Sequence, residues 1–159
     1  MISGRTEGAL RGQIERLRAF TAESDARPVD VGASLVSSRS VFEHRAVVVG
    51  DETVEGVAGS GRVGVMFTGQ GAQRAGMGKE LYEAFPTFAK TFDEVLSHLD
   101  EGLREIIFSG EGLDETGNTQ PALFALEVAL YRLIESWGVK PEILTGHSIG
   151  EIAAAHVAG

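Results

Sequence analysis

Ile143-Leu144-Thr145-Gly146-His147-Ser148-Ile149-Gly150-Glu151 decides how this chain is read. A short apolar, β-branched run leads into Gly-His-Ser-Ile-Gly, and the helix former Ile152-Ala153-Ala154-Ala155 follows at once. The order is strand, tight turn, helix, with a serine at the apex. A serine held in a cramped turn between strand and helix needs small neighbours, and Gly146 and Gly150 supply them. The turn exposes Oγ at the tip of a strand and sets Ser148 at a helix N-terminus, where free N–H groups and the dipole favour developing negative charge. With 21 glycines in 159 residues, G-x-S-x-G alone is a weak signal. Its strand-before, helix-after setting makes Ser148 the candidate nucleophile.

Composition bounds the alternatives. The chain is long enough for one ordinary domain with a core of its own. A net charge of −9, from 14 basic against 23 acidic residues, argues against nucleic acid and against unaided binding to anionic membrane. No cysteine is present, which removes disulfides, a thiol nucleophile and zinc–thiolate sites, and no metal site is predicted. No apolar run approaches the ~20 residues that span a bilayer, and Met1–Glu7 lacks the apolar segment of a signal peptide. A cytoplasmic protein is the expectation.

N-terminal to the elbow, residues 6–23 predict an amphipathic helix capped by Thr6, with Leu10, Ile14 and Leu17 on one face. A second helix is predicted from Asp30, and residues 43–50 read as a strand. Residues 51–62, with three glycines and little periodicity, read as a connector, which places a domain boundary near Gly59. His44, between Glu43 and Arg45, reads as a solvated or salt-bridged histidine rather than a base.

Val63–Phe67 predicts a buried strand running into Thr68-Gly69-Gln70-Gly71-Ala72-Gln73. Glycine-rich loops at the carboxyl ends of strands are where open α/β sheets bind ligands. This loop lacks the Gly-Lys-Ser/Thr of a phosphate-binding P-loop and the full G-x-G-x-x-G fingerprint. Two readings stay open: a plain turn, or a set of main-chain N–H groups presented beside Gln70. Residues 87–99 predict a helix capped by Thr87, with Phe88, Phe92, Val95, Leu96 and Leu99 inward and His98 outward. Asn118 or Thr119 is expected to cap a second helix, apolar nearly all round from Ala122 to Trp137 and ended by Gly138. Gln120, at its mouth, either satisfies local backbone or faces the site.

A serine nucleophile needs a base and oxyanion donors. The N–H of Ile149 is the standard first donor of an elbow, and the Gly69–Gly71 loop offers a second. The four histidines are His44, His98, His147 and His156. His147 sits inside the turn, where its ring should diverge from Oγ, and His156 is expected along a packed face. A central strand at residue 143 also needs neighbours that the eleven residues after Ser148 cannot form, so the sequence reads as ending within a domain.

Phe67-Thr-Gly-Gln-Gly-Ala-Gln-Arg-Ala-Gly-Met-Gly78, Thr119-Gln-Pro-Ala-Leu-Phe-Ala125 and Gly146-His-Ser-Ile-Gly-Glu151 closely resemble the acyltransferase domain of modular type I polyketide synthases. Residues 1–58, through Phe42–Gly50, resemble the linker domain between ketosynthase and acyltransferase. The resemblance implies an α/β fold: a small α+β linker unit at 1–58, then, at 59–159, the N-terminal part of an α/β-hydrolase-like acyltransferase core with a parallel sheet and a nucleophile elbow. It implies an acyltransferase of the malonyl-CoA:acyl carrier protein type, which loads an extender acyl group from CoA onto Ser148 and transfers it to the phosphopantetheine of an acyl carrier protein. The main-chain N–H groups of Gln70 and Ile149 would form the oxyanion hole, and Gln120 and His147 would be substrate-binding. No bound cofactor is implied. The implied partners are the carrier protein, a ketosynthase and the remaining acyltransferase half of the same synthase. The family's catalytic histidine and carboxylate-binding arginine have no counterpart in these residues, so the isolated chain is expected to be inactive. Glu115–Gln120 and Ile149 look like the malonyl-type pattern. The competing readings are a serine esterase or thioesterase of α/β-hydrolase type and a non-catalytic docking fragment.

Overall fold

In the computed structural model, which describes residues 1–159, the chain separates after Gly61 into two units, Met1–Gly61 and Arg62–Gly159.

The first unit opens on β1 (Ile2–Gly4), followed by α1 (Glu7–Glu23), α2 (Pro28–Ser38), β2 (His44–Val49) and β3 (Glu52–Val57). Its sheet has the order β1-β2-β3 and is antiparallel throughout. Thr6 caps α1 as its sequence position predicts: Oγ1 accepts the N–H of Ala9 at 3.2 Å. The inward stripe of α1 buries Leu10 and Ile14 against Ile2 and Ala46, with Leu17, Leu35 and Val48 packed around them. Gly4 lets strand and helix meet closely, since a Cβ there would stand 2.6 Å from the Leu10 nitrogen.

Two expectations for this unit are corrected. The second helix starts at Pro28, not Asp30, because proline's fixed φ suits a first helical turn; Asp30 instead receives Arg27 through two bonds of 2.8 and 2.9 Å. Much of the connector expected at 51–62 is strand β3, paired residue for residue with β2 from His44↔Val57 to Val49↔Glu52. The Gly50–Asp51 turn makes this hairpin, with Gly50 at φ 58°. β3 is an edge strand in which only Thr53 is half-buried, so it carries no apolar alternation to read. β1 was not anticipated either, being three residues long.

The second unit runs β4 (Gly64–Phe67), α3 (Lys79–Ala84), α4 (Pro86–Leu96), α5 (Leu103–Ser109), α6 (Thr116–Ser136), β5 (Ile143–Gly146) and α7 (Ile149–Ala158). β4 and β5 are parallel, in register from Gly64↔Ile143 to Phe67↔Gly146, as an α/β core requires. α6 is the hub. On one side it joins Phe88, Phe92, Leu103 and Ile107 through Leu123, Ala129 and Leu133. On the other, Val128 and Tyr131 pack with Phe67 of β4 and with Ala153, Ala154 and Val157 of α7. No helix in the chain is long and apolar enough to cross a membrane.

Helix starts are again the point of correction. α4 begins at Pro86, with Phe85 as its cap, so Thr87 lies inside the first turn and caps nothing. α6 begins at Thr116, upstream of both expected caps. Asn118 instead donates from Nδ2 to the Gly112 carbonyl at 3.0 Å. Thr119 is fully buried, its hydroxyl placed 2.6 Å from the Leu113 carbonyl oxygen and 3.1 Å from that of Glu115. Both side chains tie the preceding loop to the helix flank, a use that resembles capping in sequence.

Candidate active site

β5 ends at Gly146, α7 starts at Ile149, and Ser148 makes the corner at φ 57° and ψ −122°. It is the one non-glycine residue in the chain with positive φ. Such a conformation costs on the order of 1–3 kcal/mol and persists only where its surroundings over-determine it. Here they do. A Cβ on Gly146 would overlap the Gly150 carbonyl group, and one on Gly150 would overlap the Thr68 carbonyl oxygen and stand 2.6 Å from that of Phe67. The His147 N–H donates to the Phe67 carbonyl at 3.2 Å, and the Gly150 and Glu151 N–H groups return to His147 and Ser148 at 3.0 Å each. The two glycines are therefore required by close main-chain approach. Ser148 itself is exposed, and its side chain makes no capping bond to α7. Ile149 is the first residue of that helix, where N–H groups lack intrahelical partners.

The glycine-rich loop after β4 forms the facing wall. A Cβ on Gly69 would stand 2.8 Å from His147 Cδ2, 2.9 Å from the His147 carbonyl oxygen and 3.4 Å from Ser148 Cβ. Loop and elbow thus touch through a residue that can only be glycine. Three tethers fix the loop. The Thr68 N–H and hydroxyl lie 2.6 and 2.7 Å from Glu127 Oε1. The Gly71 N–H donates to Gln73 Oε1 at 2.7 Å, while Gln73 Nε2 donates to Asp114 Oδ1 at 2.9 Å. Gln70 Nε2 donates to Thr116 Oγ1 at 3.3 Å. The N–H groups of Thr68, Gly71 and Ala72 are committed to partners within the chain, and that of Gln70 is not among them.

Other candidates fall at different distances from this centre. His147 is exposed beside the serine, its ring edge against Gly69. Gln120 is half-buried in the second turn of α6, and no hydrogen bond joins it to the elbow. His156 departs from its expected place on a packed face: it is exposed, with its ring edge-on to Phe124 at 5.3 Å. His98 is exposed and His44 half-buried in β2.

Glu127 was missed in sequence. Its only signal there is a carboxylate in a helix otherwise apolar on nearly every side. It is 9% exposed, and burial raises its pKa, against the opposing pull of the two Thr68 hydrogen bonds.

A serine at positive φ between a parallel strand and a helix, with a glycine-rich loop against it, defines the elbow architecture of α/β enzymes that act on acyl groups. Residues 65–159 match the acyl transferase domain family, and the chain belongs to it. Among known relatives, polyketide synthase GfsA of Streptomyces halstedii is 51% identical over an alignment of 195 residues that takes in 100% of this chain and 3% of that protein. The acyltransferase domain from module 8 of the salinomycin polyketide synthase is 37% identical, with a TM-score of 0.89 over 99% of this chain and 44% of that structure. A malonyl-transacylase solved with its type II polyketide synthase acyl carrier protein is 37% identical over 62% of this chain and 33% of that structure, with a TM-score of 0.57. The chain thus spans under half of the solved domains it resembles and a small part of the synthase. It is an acyltransferase segment of the polyketide synthase type.

Proposed function

We propose that Ser148 is the acyl-accepting nucleophile of an extender-loading acyltransferase. Its Oγ attacks the thioester carbonyl of an acyl-CoA, the N–H groups of Gln70 and Ile149 receive the oxyanion, and CoA leaves as the thiol. The serine ester is then attacked by the phosphopantetheine thiol of an acyl carrier protein, which restores the free hydroxyl. The observation that carries this reading is the strained corner at Ser148, maintained by Gly146 and Gly150 directly against Gly69. Strain at one exposed hydroxyl has no evident use in a docking fragment. Gln120 and His147 are assigned to the acyl group's surroundings.

The proton on Oγ needs a base. No hydrogen bond joins Ser148 to any of the four histidines, and His156 rests on Phe124. We assign the base, and the cation that would hold an extender carboxylate, to a complete domain of the length the solved relatives have. Residues 1–58 are assigned as the ketosynthase–acyltransferase linker and 59–159 as acyltransferase, working in the cytoplasm on soluble CoA esters. Malonyl is the proposed extender, on the pattern Glu115–Gln120 with Ile149 and on the likeness to a malonyl-transacylase.

The test is mass spectrometry of the full-length synthase protein carrying this chain after exposure to malonyl-CoA. A stable acyl adduct on Ser148, absent in Ser148→Ala and discharged by holo carrier protein, is the expected result. Free malonate released without carrier protein would identify a hydrolase instead.

A further inference from the structure

Glu127 is the one buried carboxylate of the second unit. One carboxyl oxygen, Oε1, receives both donors of Thr68, at 2.6 and 2.7 Å, while Oε2 is buried with no partner at all. A buried carboxyl with one orphaned oxygen is a poor way to stabilise a helix, since apolar side chains of similar size fill such sites without the desolvation cost. What this carboxyl does is local. Thr68 is the residue at which β4 becomes the glycine-rich loop, and its own carbonyl is the group against which Gly150 of the elbow packs. Immediately after it comes Gly69, in contact with His147 and Ser148. Thr68 is therefore where the two walls of the site are joined, and Glu127 grips it from the side of α6.

We propose that Glu127 is a positioning residue for acyl transfer at Ser148: by gripping both donors of Thr68 it fixes the Gly69–Gln70 main chain at its working distance from the serine. The inference rests on the reading of Ser148 as nucleophile and of Gln70 as oxyanion donor. It places the effect of Glu127 on the chemical step, because oxyanion donors act where charge develops and not on the resting thioester.

The experiment uses the full-length synthase protein carrying this chain, with three variants. Glu127→Met removes the acceptor at similar volume. Glu127→Gln keeps a carbonyl oxygen for both Thr68 donors. Thr68→Val keeps the main-chain bond and removes the hydroxyl. Competent serines are counted with a serine-directed fluorophosphonate, and the single-turnover rate of Ser148 acylation is measured per competent serine, together with KM for malonyl-CoA. Glu127→Met is expected to slow acylation by about tenfold to a hundredfold per competent serine, the scale of a sub-ångström to 1 Å misplacement, with KM within about twofold. Glu127→Gln should retain most of the rate.

A Glu127→Met protein that acylates at the wild-type rate per competent serine, whatever its yield, would overturn the proposal. So would a raised KM at unchanged rate, or an equal loss in the glutamine variant. Should Glu127→Met not fold, Thr68→Val decides the matter: a threefold to tenfold slowing supports the grip on the same scale, and no slowing overturns it. Ser148→Ala runs beside them. Acylation surviving in that variant refutes the nucleophile assignment, whereas its loss with Glu127→Met unaffected refutes only the role of Glu127.

Discussion

Gly150 and Thr68 lie main chain against main chain: the first turn of α7 approaches the end of β4 so closely that the Thr68 carbonyl occupies the space a Cβ on Gly150 would need. The Phe67 carbonyl oxygen, 2.6 Å from the same point, closes the other side. Neither neighbour can yield without moving the strand.

Gly150→Ala should therefore displace the elbow from the glycine-rich loop. Overpacking of this kind costs typically about 1–3 kcal/mol, and fluorophosphonate labelling of Ser148 should fall with it. Gly117→Ala is the matched control, on α6 with nothing within 4 Å of the added methyl. It should be neutral or stabilising by up to about 1 kcal/mol. Denaturant unfolding of both variants in the same background measures the contrast, and equal destabilisation would contradict it.

Ile149 follows the serine directly and is half-buried against the helical core. In the full-length synthase protein, Ile149→Gln should erode the proposed preference for malonyl over methylmalonyl. The change should lie within the ~1–3 kcal/mol that one methyl can command in an apolar pocket. Competition between the two CoA esters reads it out. An unchanged product ratio removes Ile149 from the determinants.

Glu127 makes a prediction in pH. Burial raises its folded-state pKa above the unfolded value, so the folded protein holds the proton more tightly. The stabilisation this represents is complete below the ordinary glutamate value of about 4.3, and it is lost as pH rises through the raised one. The stability of wild type relative to Glu127→Gln, which does not titrate there, should decline as pH is taken upward from about 4. Unfolding midpoints of the two proteins across that range test the slope, and a difference independent of pH would show that the carboxyl titrates alike in both states.

Supplied alone, the 159 residues should leave Ser148 unlabelled by malonyl-CoA. His156 is engaged with Phe124, and His147 is turned against Gly69. Loss of catalytic-triad members in serine enzymes lowers turnover on the order of 10⁴–10⁶. Met66, 82% exposed on β4, and Ile152, 59% exposed on α7, should also make the isolated chain prone to association. Addition of the C-terminal part of a homologous acyltransferase domain is expected to restore labelling. Robust labelling of the chain by itself would show that a competent base is already present.

What sequence could reveal was whatever is local. Gly146, Ser148 and Gly150 announce the elbow because its steric demands fall on adjacent residues, and the runs at 64–67 and 143–146 announce strands by their β-branched and apolar content. Thr6 announces its helix start by the same logic. β1 and β3 escaped because a ladder to β2 makes them strands, not a pattern of their own. Thr119 misled because a hydroxyl bonded to loop carbonyls and a hydroxyl capping a helix have the same spelling. Gln73 and Glu127 were invisible as site residues because their meaning lies in partners 41 and 59 positions away.

The two strands that carry the site come from opposite ends of the second unit, with α3 to α6 between them. Pairing at such range is slow, because the loop-closure entropy falls due before any contact rewards it. The helices α4 and α6, which pack on each other through Phe88, Phe92 and Leu123, both lie between those two strands in the chain. Ser148 exists as an elbow only where Gly150 meets Thr68, so the geometry of the nucleophile belongs to the closed strand pair and not to the turn alone.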